Sequence, residues 1–209
     1  MIRLEILVEE PSCEIALRNL LPRILPAGSR YSIRYFQGKT DLLKKLPDRL
    51  EGYKRQNDAQ DVRIVVLADE DREDCTKLKA KLEKISRDKG FITRTTSGVN
   101  KFYQMANRIA VEELEAWFFG DIEALTSAFP GLKQKFPNLK RRKEFLSPDT
   151  ITGGTWEALE KLLKSAGYYT GGLQKLDAAR KISEHMQPDR NCSPSFKLFR
   201  DTLREIART

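Results

Sequence analysis

The sequence predicts an α/β protein: a mostly parallel sheet flanked by helices, with an α-helical C-terminal region. Three observations carry that reading. Short apolar runs alternate with amphipathic stretches of helical spacing as far as Phe119. The most apolar run, Val62 to Ala68, is short enough for a strand buried on both faces. From Asp121 onward the strand pattern disappears.

Arg3 to Val8 reads as a short central strand, and Ser12 as the cap of a helix carrying Ile15, Ala16, Leu20 and Leu21, its end disturbed by Pro22 and Pro26. Tyr31 to Phe36 alternates like a second strand, and Gly38 turns the chain. Asp41 to Tyr53 places Leu42, Leu43, Leu46 and Leu50 at helical spacing around Pro47, a kink point. Val62 to Ala68 belongs in mid-sheet. Arg72 to Lys89 is a charged amphipathic helix with Leu78, Leu82 and Ile85 on one face. Phe91 to Thr95 and Phe102 to Val111 read as further strands, and Glu112 to Phe119 as a short helix. Thr155 to Ala166, Gln174 to Met186 and Ser195 to Ala207 read as helices, the last preceded by Ser193-Pro194 as N-cap and first-turn pair. Lys133 to Lys143 is a basic, proline-broken loop. The expected division is residues 1–120 for the sheet domain and 121–209 for a basic helical region packed on it or following it.

Charge supports that division. Up to residue 130 the chain holds 22 Lys+Arg against 21 Asp+Glu; after it, 16 against 9, so nearly all of the net +8 lies in the helical part. A positive surface there suits a polyanion such as DNA or RNA, with Lys140, Arg141, Arg142 and Lys143 as backbone contacts; the alternative is an ordinary solvated exterior. No apolar run approaches the roughly 18 residues of a membrane span, and the N-terminus goes directly into a strand without a signal-peptide stretch. Cys13, Cys75 and Cys192 show no paired spacing, so a reducing cytoplasm is expected. His185, the single histidine, argues against most histidine-based sites (zinc hydrolases, Ser-His triads, histidine-activated nucleases) and is expected at the surface or a boundary.

Two acidic clusters sit where apolar strands run out: Glu9-Glu10 after Ile6-Leu7-Val8, and Asp69-Glu70-Asp71 after Val65-Val66-Leu67-Ala68. Ligands of open α/β sheets bind beyond the carboxyl ends of the strands. Two like charges about 4 Å apart there repel by roughly 4 kcal/mol at an effective dielectric near 20. A hard divalent ion, Mg²⁺ or Mn²⁺, relieves that repulsion through oxygen ligands and suits phosphate chemistry. If strand geometry persists past Ala68, Asp69 and Asp71 point the same way and share the ion with Glu9. The competing reading is a structural cluster neutralised by Arg72 or another base. Glu113 and Glu115, before Trp117, are either a second metal or general-base pair or a complement to a helix dipole. On that helix Glu112 and Glu115 share a face and Glu113 points partly away. Lys39, in Gly38-Lys39-Thr40, lacks the glycine-rich element of a P-loop but sits where it could meet a scissile phosphate. Trp117, Phe118 and Phe119 read as core.

A strand ending in Glu with a later strand ending in Asp-x-Asp resembles the Toprim fold of primases, topoisomerases and OLD-type nucleases, whose acidic residues hold Mg²⁺. Nearly the whole chain is similar to the DUF4276 family, a prokaryotic family with a Toprim-like core akin to RloB-type proteins of phage-defence loci. The segments that carry this are Leu7-Val8-Glu9-Glu10-Pro11-Ser12, Gly38 to Leu46, Val65 to Asp71, Asn107 to Phe118 and Gly153-Gly154-Thr155-Trp156-Glu157-Ala158-Leu159. The resemblance implies Glu9 as the first-strand glutamate, Asp69 and Asp71 as the aspartate pair, and Glu113 and Glu115 as the later acidic motif. Glu10 stands where Toprim proteins usually have Gly. The implied activity is Mg²⁺- or Mn²⁺-dependent cleavage of DNA or RNA phosphodiesters, with Glu9, Asp69, Asp71, Glu113, Glu115 and Lys39 as catalytic residues. Two alternatives remain: a regulatory partner of a defence-type ATPase, and a catalytically silent nucleic-acid binder.

Overall fold

The computed structural model describes residues 2–56, 58–71, 73–97, 101–142, 145–151 and 153–208. Strand β1 (Arg3–Val8) leads into α1 (Pro11–Ile24), β2 (Arg30–Tyr35) into α2 (Lys39–Lys54), and β3 (Val62–Asp69) into α3 (Cys75–Asp88). A single turn, α4 (Arg94–Ser97), precedes β4 (Met105–Ala110). Helices α5 (Leu114–Phe119), α6 (Ile122–Ala128), α7 (Pro130–Lys135), α8 (Thr155–Ser165), α9 (Lys175–His185) and α10 (Pro194–Ile206) follow. Among the described residues the strands form one all-parallel sheet of four, ordered β2-β1-β3-β4. Every residue of β3 is buried, as the apolar run Ile64 to Ala68 predicts, and burial extends to the charged Arg63 and Asp69 that flank it.

Strand periodicity divides the interior in two. Ile6, Val8, Val65, Leu67 and Ala106 face α1 and a core that continues through Trp117, Phe118 and Phe119 to Ile182, Phe196 and Phe199 of the C-terminal helices. Leu7, Ile64, Val66, Ala68 and Met105 face the other way, against α2 and α3. Burying each such side chain contributes about 1.5–3 kcal/mol. Trp117 Nε1 donates to Ser195 Oγ at 2.9 Å, and its rings lie 5.1 and 5.2 Å from those of Phe196 and Phe199. Asp121, 2% exposed, caps α6 by accepting from Ala124 N (3.1 Å) and takes both Nε (2.8 Å) and Nη2 (2.9 Å) of Arg190. No helix among the described residues is long and apolar enough to cross a membrane.

Several expected boundaries move for local reasons. Phe91 to Thr95 is not a strand: Thr93 makes one bridge to Met105, and the chain then winds into α4. Thr93 O accepts from Ser97 N at 2.9 Å and Thr93 N donates to Thr96 Oγ1 at 3.1 Å, so local side-chain bonding overrides β-propensity. Strand β4 accordingly starts at Met105 rather than Phe102. Glu10 rather than Ser12 is the N-cap of α1, because Pro11 occupies the first helical position. Helix α3 starts at Cys75, where Asp74 accepts from Thr76 N (2.8 Å) and Lys77 N (3.1 Å). The stretch read as a basic loop holds the end of α7 and a 3₁₀ turn, Leu139–Arg141. Ser193 and Pro194 begin α10 as expected, with Ser193 Oγ accepting from Phe196 N at 3.1 Å. Exposed His185 ends α9.

Candidate active site

The sheet order places a topological switch point between β1 and β3. From β1 the chain crosses through α1 to β2 on one side; from β3 it crosses through α3 to β4 on the other. The connections part at the carboxyl ends of these strands and leave a crevice. Glu9 follows β1 there, and Asp69 ends β3, with Val8 paired to Leu67. The Asp69 amide donates to Glu9 Oε2 at 3.0 Å. Both side chains are inside, Glu9 at 6% and Asp69 at 4% exposure. Burial pushes the Glu9 carboxyl up to about 7, against the Asp69 hydrogen bond and with the Asp71 charge adding to it. Burial, and then the Glu9 and Glu10 carboxylates, hold Asp69 well above the usual carboxylate range.

Glu115, in the first turn of α5 just after β4, adds its charge to this pair by raising the Asp69 pKa. It is 3% exposed, and burial pushes it up to about 7, with the Lys175 ammonium opposing. Lys175 opens α9 and is the counter-charge to the cluster. Burial works against its ammonium, but Glu115, Glu10, Glu113 and Asp69 outweigh that and hold its pKa above the ordinary value. Its Nζ also lies 5.4 Å from the centre of the Trp156 ring. The Cys13 thiol is fully inside, pushed up by burial and by the same carboxylates, so it is a neutral wall and no thiolate ligand.

The remaining acidic residues separate into other jobs. Strand geometry ends at Asp69, because Glu70 N donates to Ala110 O (2.9 Å) and Asp71 N to Glu112 O (2.8 Å). Asp71 takes a left-handed φ of 52°, so it does not point alongside Asp69 as expected. It pairs with Lys39 Nζ at 2.8 Å, while that ammonium also donates to Glu70 O at 3.0 Å. Glu70 ties two loops, accepting from Cys75 N at 3.2 Å and Glu112 N at 3.1 Å. Glu112 lies before α5 with φ 62°, so the expected shared helix face with Glu115 does not exist. Glu113 N-caps α5 and sends its carboxylate to the start of α8, accepting from Thr155 Oγ1 (2.8 Å) and Trp156 N (2.9 Å). These bonds tie the start of α5 to the start of α8.

Around the crevice, a cavity of about 540 Å³ is lined by Asp71, Glu112, Glu113, Gly153, Gly154, Trp156 and Glu157. Of the basic stretch, Lys140 pairs with Glu123 at 2.7 Å, Arg141 is exposed, and the Arg142 guanidinium lies 5.3 Å from the Phe136 ring centre. Lys143 lies outside the described residues, as does Arg72, the base expected to neutralise the cluster. Among the described residues no three His, Cys, Asp or Glu side chains are grouped to hold a metal ion. Sequence reading missed Lys175 and Trp156. For Lys175 no local signal exists, since it comes from a helix a hundred residues after β3; Trp156 stands in the conspicuous Gly153-Gly154-Thr155-Trp156 motif.

The model of DUF4276, a domain of unknown function, matches residues 8–204. Neither a curated protein nor a solved structure matches the chain.

Proposed function

The chain belongs to the DUF4276 family, and we propose that it is a Mg²⁺- or Mn²⁺-dependent nuclease-like enzyme that hydrolyses DNA or RNA phosphodiesters. The observation that carries this reading is the burial of Glu9 and Asp69 at the switch point of a parallel sheet, where the Asp69 amide donates to Glu9 Oε2 at 3.0 Å. The Glu115 carboxylate acts on Asp69, and Lys39 is paired to Asp71. The donor chemistry fits a hard cation: the groups are carboxylate oxygens in a buried site where like charges are costly without a positive partner. Glu9 and Asp69 would supply two carboxylates from adjacent strand ends, and a third must come from Asp71, which would leave Lys39. When bound, such an ion polarises the phosphate and makes hydroxide available at neutral pH.

The chain's own residues do the rest. Glu9 and Asp69 hold the cation; Lys39, released from Asp71, neutralises a non-bridging phosphate oxygen. A water oxygen bonds to phosphorus as the bond to the leaving oxygen breaks, and the leaving oxygen takes a proton. Glu115 is suited to hold that proton, since a carboxyl near 7 exchanges protons efficiently at neutral pH. The Toprim likeness supports the same assignment through Glu9 and Asp69, with Asp71 in the pair's second place. Three free cysteines suit a reducing cytoplasm.

The test is cleavage of plasmid, single-stranded DNA and RNA with Mn²⁺, for wild type and Asp69→Asn. Cleavage by wild type and a loss of at least a hundredfold in the variant are expected; equal rates refute the assignment. A second reading, a binder without catalysis, is favoured by the Asp71–Lys39 pair, which occupies a predicted ligand. It predicts salt-sensitive binding and no cleavage by either protein.

A further inference from the structure

A second cavity, of about 900 Å³, opens beside the acidic one, lined by Phe136, Arg142, Phe145 and Lys161 among others. The two share Gly153, Gly154 and Glu157, so they form one groove leading from Asp71 and Glu112, at the rim of the crevice, to the helical half. The volume lies in the range of small-molecule sites, about 300–1,000 Å³, and suits a nucleotide. The lining has three matching features. The Arg142 guanidinium lies over the Phe136 and Phe145 rings, at 5.3 and 5.8 Å from their centres, a flat cationic and aromatic surface for a base. Exposed Lys161 supplies charge for a phosphate. Glu157 Oε2 is enclosed and has no hydrogen-bond partner among the described residues, which makes it an acceptor for the amino or imino hydrogens of a base edge. Between the cavities, a Cβ on Gly153 would meet nothing within 4 Å, so a strand can pass close to the backbone.

Resting on the nuclease reading above, the geometry points to a single-stranded nucleic acid as the substrate. Its backbone runs from the Glu9–Asp69 crevice over Gly153, past Trp156, and a neighbouring nucleotide sits in the Arg142–Lys161 cavity. A base that offers its face to Arg142 and its edge to Glu157 has to be unpaired and unstacked, which a duplex does not provide. The proposal also gives part of the C-terminal positive charge a task at the same site.

Binding in EDTA separates this from catalysis. Fluorescence anisotropy with a labelled 12-nucleotide strand and its duplex is measured for the full chain, for Arg142→Ala/Lys161→Ala, and for Lys84→Ala, an exposed lysine on α3 away from the groove. The single strand is expected to bind at least about tenfold more tightly than the duplex. The double variant should weaken binding roughly tenfold or more and flatten the log K against log salt slope by about 0.7, the one phosphate contact assigned to Lys161. Lys84→Ala should match wild type. Quenching of the half-buried Trp156 on binding, lost in Trp156→Phe, places the strand beside the crevice, since Trp117 is fully buried. Equal affinity for duplex, or a double variant that binds like Lys84→Ala, overturns the proposal. Intact single-strand binding without cleavage retires the nuclease reading alone.

Discussion

Replacing Glu115 by Gln should make the protein more stable at alkaline pH. In the fold this carboxyl is pushed up to about 7 from its ordinary value of 4.5, chiefly by burial. Between those values the folded chain holds a proton that the unfolded chain has released, so stability falls by about 1.36 kcal/mol per pH unit. The stabilisation is fully present below 4.5 and lost as pH rises through about 7, a total of roughly 3 kcal/mol. For a chain of this size that is a melting temperature lowered by roughly 6–12 °C. Gln keeps the shape and cannot titrate, so the wild-type minus Glu115→Gln difference should slope downward from pH 4.5 and level off above pH 7. Ionisable groups that do not face Glu115 act alike in both proteins and cancel in the difference. Thermal unfolding followed by circular dichroism from pH 4 to 9 in EDTA measures it. Parallel profiles, or a wild type that gains on the variant as pH rises, would refute the burial account of this residue.

Two further substitutions address the frame and the rim. Asp121→Ala removes the cap of α6 and both Arg190 contacts, and should cost roughly 3 kcal/mol by denaturant unfolding, with Asp121→Asn recovering part of it. Lys39→Met frees Asp71 from its 2.8 Å pair, so Mn²⁺ should bind several-fold more tightly while cleavage slows at least tenfold, separating the ligand and phosphate roles of that corner.

Much of the sheet can be read from the sequence because parallel strands buried on both faces leave short, strongly apolar stretches, here Ile6 to Val8 and Ile64 to Ala68. The readings built on them, Arg3 to Val8 and Val62 to Ala68, each give an element within a residue of its true end. The buried pair is legible for the same reason: Glu9 and Asp69 stand where those runs stop. Legibility fails where a side chain's direction depends on one local backbone bond. Asp71 looks like the partner of Asp69 in an Asp-x-Asp reading, but the Asp71–Glu112 bond between two loops turns it to Lys39. Glu112, Glu113 and Glu115 look like one helical motif, yet the helix starts at Leu114 and the three diverge. Lys175 is invisible until the helical half packs on the sheet and brings it to Glu115. Thr93 misleads differently, since its residue type favours a strand while its hydroxyl and carbonyl organise a turn.

Calorimetric titration of Mn²⁺ at pH 6, where Glu9 is mostly protonated, into wild type and Asp69→Asn puts the shared premise of the enzymatic reading to the sharpest test. Wild type should show one saturable event whose heat varies with the buffer's ionisation enthalpy, because the ion displaces protons from Glu9 and Asp69, and the variant should show none. A wild type with no saturable heat, or two identical isotherms, would contradict it.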